Sequence, residues 1–298
     1  FALWALVEEL CYCDIPAPHV APRGSSDPRQ LSAADAWGAL LAGQALVESV
    51  DLSHISPRNQ DKLHDVCRLL VRVLQGEGQL PAIERAGAGD ALAKLGDPRF
   101  RPDAWYLPDE PLLGFVEIPE GAFLMGRDKE RDPQAFDDEH PEHEVTLPTY
   151  YIARYPVTVA QFRAYVEASG VQPGDADSLR GVANHPVRWV TWHEALAYCR
   201  WLTEVLREWE GTPAPLARLL REGWQVMLPS EAEWEKAAGW DAARAEIRQY
   251  PWGDALDPKR ANYADTGIGT TSAVGCFRGG VSAYGVEDLG GNVWEWTR

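Results

Sequence analysis

Tyr284-Gly285-Val286-Glu287-Asp288-Leu289-Gly290-Gly291-Asn292-Val293-Trp294-Glu295-Trp296, close to the end of the chain, is the stretch whose reading decides the fold. A glycine pair, an amide, carboxylates and two tryptophans crowd into it. Glycine lets the backbone turn so that carbonyls face one point, and hard cations take such carbonyls beside a carboxylate. The stretch therefore reads as a candidate metal-bracing turn in front of an aromatic wall. The chain stops two residues after Trp296 and begins at Phe1, which is no initiator, so sequence is expected to continue at both ends.

Working outward, Gly, Pro, Asn, Asp and Trp dominate from Tyr250 onward. Disordered segments are poor in aromatics, so this composition predicts long ordered loops. Three S/T-x-x-E/Q capping boxes announce helices upstream: Thr158 with Gln161, Thr191 with Glu194, and Ser230 with Glu233. After the second box, Ala195, Tyr198, Cys199, Leu202, Leu206 and Trp209 form one apolar stripe. Phe115–Ile118, Phe123–Met125, Val145–Leu147 and Tyr150–Ile152 read as short strands. Residues 113–298 thus predict an α+β domain, cut at its C-terminal end, with a short antiparallel sheet, a few helices and long loops.

Residues 1–112 read as a helical segment and linker. Leu63, Val66, Cys67, Leu70, Val71 and Leu74 recur at helical spacing, with Ser56-Pro57 as a start signal. Trp37, Leu40, Leu41 and Ala45 predict an earlier helix. Ile83, Ala88, Ala91, Leu92 and Leu95 predict a later one, closed by Gly96. The Pro-, Gly- and Ser-rich run from Cys13 to Gln30 reads as a loop, and the three prolines between Arg101 and Pro111 as a linker.

A chain of 298 residues with 45% apolar content has enough material for a real core. Its net charge of −17 argues against nucleic acid and anionic membrane surfaces as partners. No apolar run is long enough to span a bilayer, and the apolar start lacks the basic flank of a signal peptide. Five cysteines at irregular spacing give no disulfide framework and point to a reducing cytoplasm. No phosphate-binding G-x-x-x-x-G-K-[ST] loop and no G-x-S-x-G elbow is present. His140 and His143 flank Pro141 with no third ligand placed, and read as a solvated acidic loop; His185 reads as a hydrogen-bonding structural residue. Most of the 13 tryptophans are expected in the core, with Trp294 and Trp252 the two expected to approach a ligand.

Phe123-Leu124-Met125-Gly126, the acidic stretch from Asp137 to Glu144, and Tyr155-Pro156-Val157-Thr158 resemble the formylglycine-generating, sulfatase-modifying factor family. So do His185-Pro186-Val187 with Val190-Thr191-Trp192, Leu228-Pro229-Ser230-Glu231-Ala232-Glu233-Trp234-Glu235, Tyr250-Pro251-Trp252-Gly253, and Gly291-Asn292-Val293-Trp294-Glu295-Trp296. The resemblance implies a variant of the C-type lectin fold whose loops are pinned by calcium. It implies one structural Ca²⁺ on Asp288 and Glu295 with the carbonyls of Gly291 and Val293. It also matches Asn262 and the Tyr263 carbonyl to part of a second site, with Asp265 the near candidate carboxylate.

The family's oxidase chemistry rests on two cysteines that bind Cu(I), which soft thiolates select. The resemblance places those cysteines beyond Arg298, and no cysteine present substitutes for them. Cys199 reads as core, Cys67 lies on a helix face, Cys276 in a loop, and Cys11 with Cys13 forms a lone C-x-C. The run Thr203–Met227 is an insertion relative to the compact enzymes. Together with Glu84 to Phe100, it resembles the non-catalytic bacterial relatives: domains attached to signalling NTPases, and variable proteins diversified by retroelements. The expectation from sequence is therefore a calcium-stabilised module that recognises a protein or glycan through its C-terminal loops. The alternative is a copper-dependent oxidase that converts a substrate cysteine to formylglycine.

Overall fold

The computed structural model describes residues 2–12, 31–76, 80–129 and 135–298. The loop expected from Cys13 to Gln30 lies outside the described residues. Four helices lead the chain: α1 (Ala2–Cys11), α2 (Ala33–Ser49), α3 (Pro57–Leu74) and α4 (Ala82–Leu95). The side chain of Ser32 caps α2 by accepting from the Asp35 N–H, and Pro57 opens α3 where a missing N–H costs nothing. On α3 the expected stripe turns inward, with Val66, Cys67, Leu70 and Leu74 buried.

On α2 the expectation fails in part: Leu40 is buried, while Trp37 and Leu41 are exposed. Most of the buried face of α2 is small, with Ala36, Gly38, Ala39, Ala42 and Gly43, and α1 lies against it at backbone distance. A Cβ on Gly38 would sit 1.8 Å from the Leu10 carbonyl oxygen. Ile83 likewise faces solvent, while Ala88, Ala91 and Leu92 of α4 face the core. Gly96 ends α4 with φ of 102°, as expected of a glycine stop.

The stretch Arg101–Pro111 is no loose linker. Phe100–Arg101 (β1) pairs antiparallel with Leu107–Pro108 (β2), and Ala104 and Leu107 are buried. Trp105 packs edge-on against Trp201 and Trp209 at 5.8 and 5.5 Å. The prolines fix the path of a segment whose apolar side chains have somewhere to go.

Strands β3 (Phe115–Ile118), β4 (Gly121–Met125), β5 (His143–Leu147) and β6 (Tyr150–Ala153) form as expected. They pair as separate two-stranded antiparallel ladders, β3 with β6 and β4 with β5. The three capping boxes are all formed, at the starts of α5 (Val159–Ser169), α6 (Trp192–Glu208) and, after the insertion, α8 (Glu231–Gly239). Within the insertion stands a helix that the sequence reading did not separate, α7 (Ala214–Arg221), whose Leu216 and Leu220 are buried against α6. A last short ladder pairs β7 (Trp240–Asp241) with β8 (Glu246–Ile247). The architecture is α+β, and no described helix is long and apolar enough to cross a membrane.

The helical segment and the α+β part share a core. Ala273, Cys276 and Phe277 join the buried cluster built by the four N-terminal helices. Gly89 of α4 makes room for this contact, since a Cβ there would lie 2.5 Å from the Cβ of Ala273. Beside it, Arg99 is clamped by Asp97 through bonds of 3.0 and 2.6 Å and donates to the Val274 carbonyl at 2.6 Å. Asn184 completes the clamp, donating to Asp97 at 2.8 Å and to the Gly89 carbonyl at 3.0 Å. Burial alone would raise the Asp97 carboxyl, yet the Arg99 charge and these hydrogen bonds hold it below its ordinary value.

Two outcomes are expected. Leu92 is fully buried in the shared core, so Leu92→Ala should cost about 2–5 kcal/mol. Calorimetry should show one transition moving as a unit; a helical segment that melts separately would contradict the shared core. Asp97→Asn should cost about 3–5 kcal/mol at neutral pH by leaving Arg99 buried and uncompensated. Because the folded carboxyl titrates below its unfolded value, this stabilisation is present above about pH 4 and lost as pH falls further. The gap in melting temperature between the two proteins should therefore narrow between pH 7 and pH 3.

Candidate functional site

The segment Thr271–Phe277 carries no helix or strand, yet all seven of its residues are buried. A buried irregular segment must find partners for its backbone groups outside secondary structure. Side chains supply them. Asn292 accepts from the Ser272 N–H at 3.0 Å and donates to the Ser272 carbonyl at 3.2 Å. Asp288 accepts from the Gly275 N–H at 2.6 Å, Arg99 serves the Val274 carbonyl, and the Val274 N–H donates to the Asn184 carbonyl at 3.0 Å.

These partners place the predicted metal-bracing turn. Asp288 and Asn292 both adopt left-handed backbone, with φ of 60° and 64°, and Gly291 lies between them at 89°. Gly291 is needed for a second reason: a Cβ there would come 2.4 Å from the Asn262 carbonyl oxygen. That carbonyl accepts from the Asn292 N–H at 2.8 Å, so the turn is bolted to Asn262. Asn292, read from sequence only as an amide within the turn, proves to be its hub. Its geometry could have been suspected from the Gly-Asn pair, whose members both tolerate left-handed backbone.

Asp288 and Glu295, the two predicted carboxylate ligands, are close enough for the Asp288 charge to raise the cost of ionising Glu295. Desolvation by burial is the main cause that pushes Asp288 up to about 6, with the Gly275 and Asn292 hydrogen bonds opposing it. Glu295 belongs to an exposed stretch, but desolvation of its carboxyl, with Asp288 adding repulsion, pushes it up to about 7. One Glu295 oxygen accepts from the Trp234 indole N–H at 3.2 Å. The Gly291 carbonyl accepts from the Val293 N–H at 2.8 Å, which leaves one lone pair for another partner. Two carboxylates held against their ordinary ionisation around a tight bend are a donor set that a hard cation fits.

Asn262 and Tyr263, the other predicted pair, are engaged within the protein. Asn262 donates to Thr270, Ser272 and Asn292, while the Tyr263 carbonyl accepts from the Thr266 N–H at 3.0 Å. The structure places Asn262 against the same turn as Gly291, with the Asn262 side-chain bonds all made by its amide N–H groups. Among the described residues no group of three or more His, Cys, Asp or Glu side chains converges as a metal site.

Next to the turn opens a cleft of about 350 Å³. One wall is the terminal segment Val293–Trp296, laid across the molecule by bonds from the Trp296 indole to the Val190 carbonyl and from the Trp192 indole to the Thr297 carbonyl. Trp294 is fully exposed on this wall. The cleft is also lined by β6 and, from the Thr203–Met227 run, by Leu216, Trp224 and Met227. Trp224 packs edge-on against Tyr151 at 5.6 Å, which fixes that run to β6. Trp252, the second predicted ligand residue, stands outside the cleft. It stacks on Tyr250 at 5.2 Å and packs beneath Gly290, where a Cβ would meet its ring at 3.0 Å.

Glu287 also lines the cleft and was not singled out from sequence. It is buried, one of its oxygens has no hydrogen-bond partner, and desolvation with repulsion from Asp288 pushes it up to about 7. A buried carboxyl of this kind can hold or release a proton near neutral pH. Its only mark in the sequence is to stand beside Asp288 in an otherwise apolar and glycine-rich run.

The described thiols fit no copper pair. Cys11, Cys67 and Cys276 lie in the helical core and Cys199 in the α6 cluster, all buried. Burial pushes the Cys67 and Cys276 thiols up to about 12 and the Cys199 thiol up to about 11. Cys13 is outside the described residues. His143 is exposed in β5, and His185 bonds Asp90 and Thr271 in the structural role expected of it.

The hercynine oxygenase of Mycolicibacterium smegmatis is 30% identical over 212 residues, which is 61% of this chain and 44% of that protein. The formylglycine-generating enzyme of Thermomonospora curvata is 31% identical over 250 residues, covering 63% of this chain and 72% of that one. The chain spans less than half the length of the hercynine oxygenases that it matches. The solved structure of PvdO from Pseudomonas aeruginosa aligns at 28% identity with a TM-score of 0.48, over 62% of this chain and 69% of that one. The model of the sulfatase-modifying factor enzyme 1-like domain matches residues 106–298, which hold the ladders from β3 onward, the capped helices α5, α6 and α8 and the glycine turn, and the chain belongs to that family.

Proposed function

We propose that this chain carries the substrate cleft of an oxidising enzyme of the sulfatase-modifying factor family, with the Asp288–Glu295 turn held by calcium. The single observation that carries the reading is the cleft. Its lining brings together the aromatic segment Val293–Trp296, β6, part of the Thr203–Met227 run and buried Glu287. The names of the relatives, an oxygenase and a formylglycine-generating enzyme, support an enzyme over the purely recognising module expected from sequence. The insertion, taken from sequence as a mark of non-catalytic relatives, supplies part of the lining of this cleft and is compatible with catalysis.

This chain's own residues would perform binding and positioning. Trp294 and Trp224 offer flat apolar surface to the uncharged part of a substrate. Glu287 would accept a proton from the bound group and return it. When bound, calcium would neutralise Asp288 and Glu295, the latter on the cleft wall, and would fix the backbone that presents Trp294. The described thiols, all buried, would not supply a copper pair.

A second reading keeps the cleft and drops the chemistry. Full exposure of Trp294 and half-exposure of Trp296 suit a surface that recognises a protein or glycan. Oxygen uptake by the full-length protein with a cysteine-containing sulfatase-type peptide separates the two. Turnover that falls about tenfold in kcat/KM for Trp294→Ala is expected. Saturable peptide binding without oxygen uptake would favour recognition.

Calcium has its own check. EDTA should lower the melting temperature and added Ca²⁺ restore it, by mass action on the native state. Asp288→Asn and Glu295→Gln should abolish the response while folding in EDTA like the parent protein. An unchanged midpoint in all conditions would leave a turn held by hydrogen bonds alone.

A further inference from the structure

A second cavity, of about 220 Å³, lies between the 177–189 loop and Thr271 and shares no lining residue with the cleft. Its inner surface is polar and built: Ser178, His185 and Thr271 are all at least nine-tenths buried. His185 is locked there by Asp90 at 2.9 Å and by Thr271 at 3.1 Å. Arg180 at the rim is occupied by Asp177 at 2.7 Å. Arg188 differs from both. It is exposed, makes no hydrogen bond or ion pair with a described residue, and holds its guanidinium 5.9 Å from the centre of the ring of its neighbour Trp189.

Trp189 is the other anomaly. It is 60% exposed, so burial does not explain the choice of a large ring at this position. Its backbone is left-handed, with φ of 61°, which costs free energy for a bulky residue. Strain of this kind persists where the surroundings impose it and gathers at ligand clamps. Here the strained residue sets an indole beside a guanidinium at the mouth of a polar cavity.

We propose that this cavity binds a small carboxylate attached to a flat apolar group. The carboxylate takes the free edge of the Arg188 guanidinium in a two-bond arrangement, and the flat group lies on Trp189. One unpaired arginine matches one negative charge, since Arg180 and His185 already have carboxylate partners; a phosphate would ask for more free donors. The volume falls below the roughly 300–1,000 Å³ of drug-sized sites, so the occupant is small. On a chain of net charge −17, Arg188 is a local positive charge that an anion can use. The site does not depend on the function proposed for the cleft.

Benzoate is the probe, titrated into the whole chain and followed by NMR at the Trp189 indole N–H, which is assigned as the signal lost in Trp189→Phe. A saturable shift is expected, weakened at least about tenfold in Arg188→Gln. Benzamide, which keeps the shape and lacks the charge, should bind at least about tenfold more weakly than benzoate. Trp189→Asn puts a residue that tolerates left-handed backbone in place of the strained one. Followed at the Thr271 amide, it should bind benzoate more weakly with no loss of melting temperature, which keeps the question answerable if Arg188→Gln folds poorly. The proposal is overturned if benzoate gives no saturable shift, if the folded variants bind it as well as the parent, or if inorganic phosphate binds in its place.

Discussion

Everything near the C-terminal end of this molecule depends on a buried segment that makes no secondary structure of its own. Thr271–Phe277 is enclosed on all sides, so its backbone N–H and carbonyl groups must be paired or the enclosure would cost several kcal/mol. The partners come from distant parts of the chain: Arg99, Asn184, Asp288 and Asn292. Each of these is in turn held by something else, Arg99 by Asp97 and Asn292 by Asn262. The helical segment, the capped-helix region and the glycine turn therefore meet on one strip of backbone.

This explains why the four leading helices are no detachable appendage. Their core takes in Ala273, Cys276 and Phe277, and the Asp97–Arg99 clamp stands where α4 gives way to the first ladder. It also explains the shape of the turn. Asp288 spends one oxygen on Gly275 and Gly291 must pass close to the Asn262 carbonyl, so the carbonyls and carboxylates of the turn have little freedom in where they point. Preorganisation of that kind is what a cation site or a substrate wall requires.

Family membership and function are separate matters here. The same fold can carry different chemistry, because function lives in sites grafted on it. The buried thiols and the aromatic cleft are local facts about this chain, and they shape the proposed reading more than the resemblance does. The insertion illustrates the point. Viewed as a length difference it suggests a departure from the enzymes, whereas in space it packs Trp224 on Tyr151 and lines part of the cleft.

Local rules were legible in the amino-acid sequence. Capping boxes at Thr158, Thr191 and Ser230, the stripe on α3 and the Gly96 stop depend on residues a few positions apart, and all are found where they were read. The set of motifs in order was enough for the family and for the α+β class. Tertiary structure decided what depends on partners remote in the chain. Trp37 and Leu41 face outward while α1 lies against small residues of α2; Arg101–Pro111 is packed because Trp201 and Trp209 are there to receive Trp105. Asn292 as hub, Glu287 as an unpaired buried carboxyl and Trp252 as packing for Gly290 follow from separations that no spacing rule covers. The sequence by itself determined the elements and their kind, since these are set by short-range hydrogen bonding and periodicity. Which polar groups are buried together, and so which can do chemistry, was decided only when the chain closed on itself and desolvation acted on the groups it enclosed.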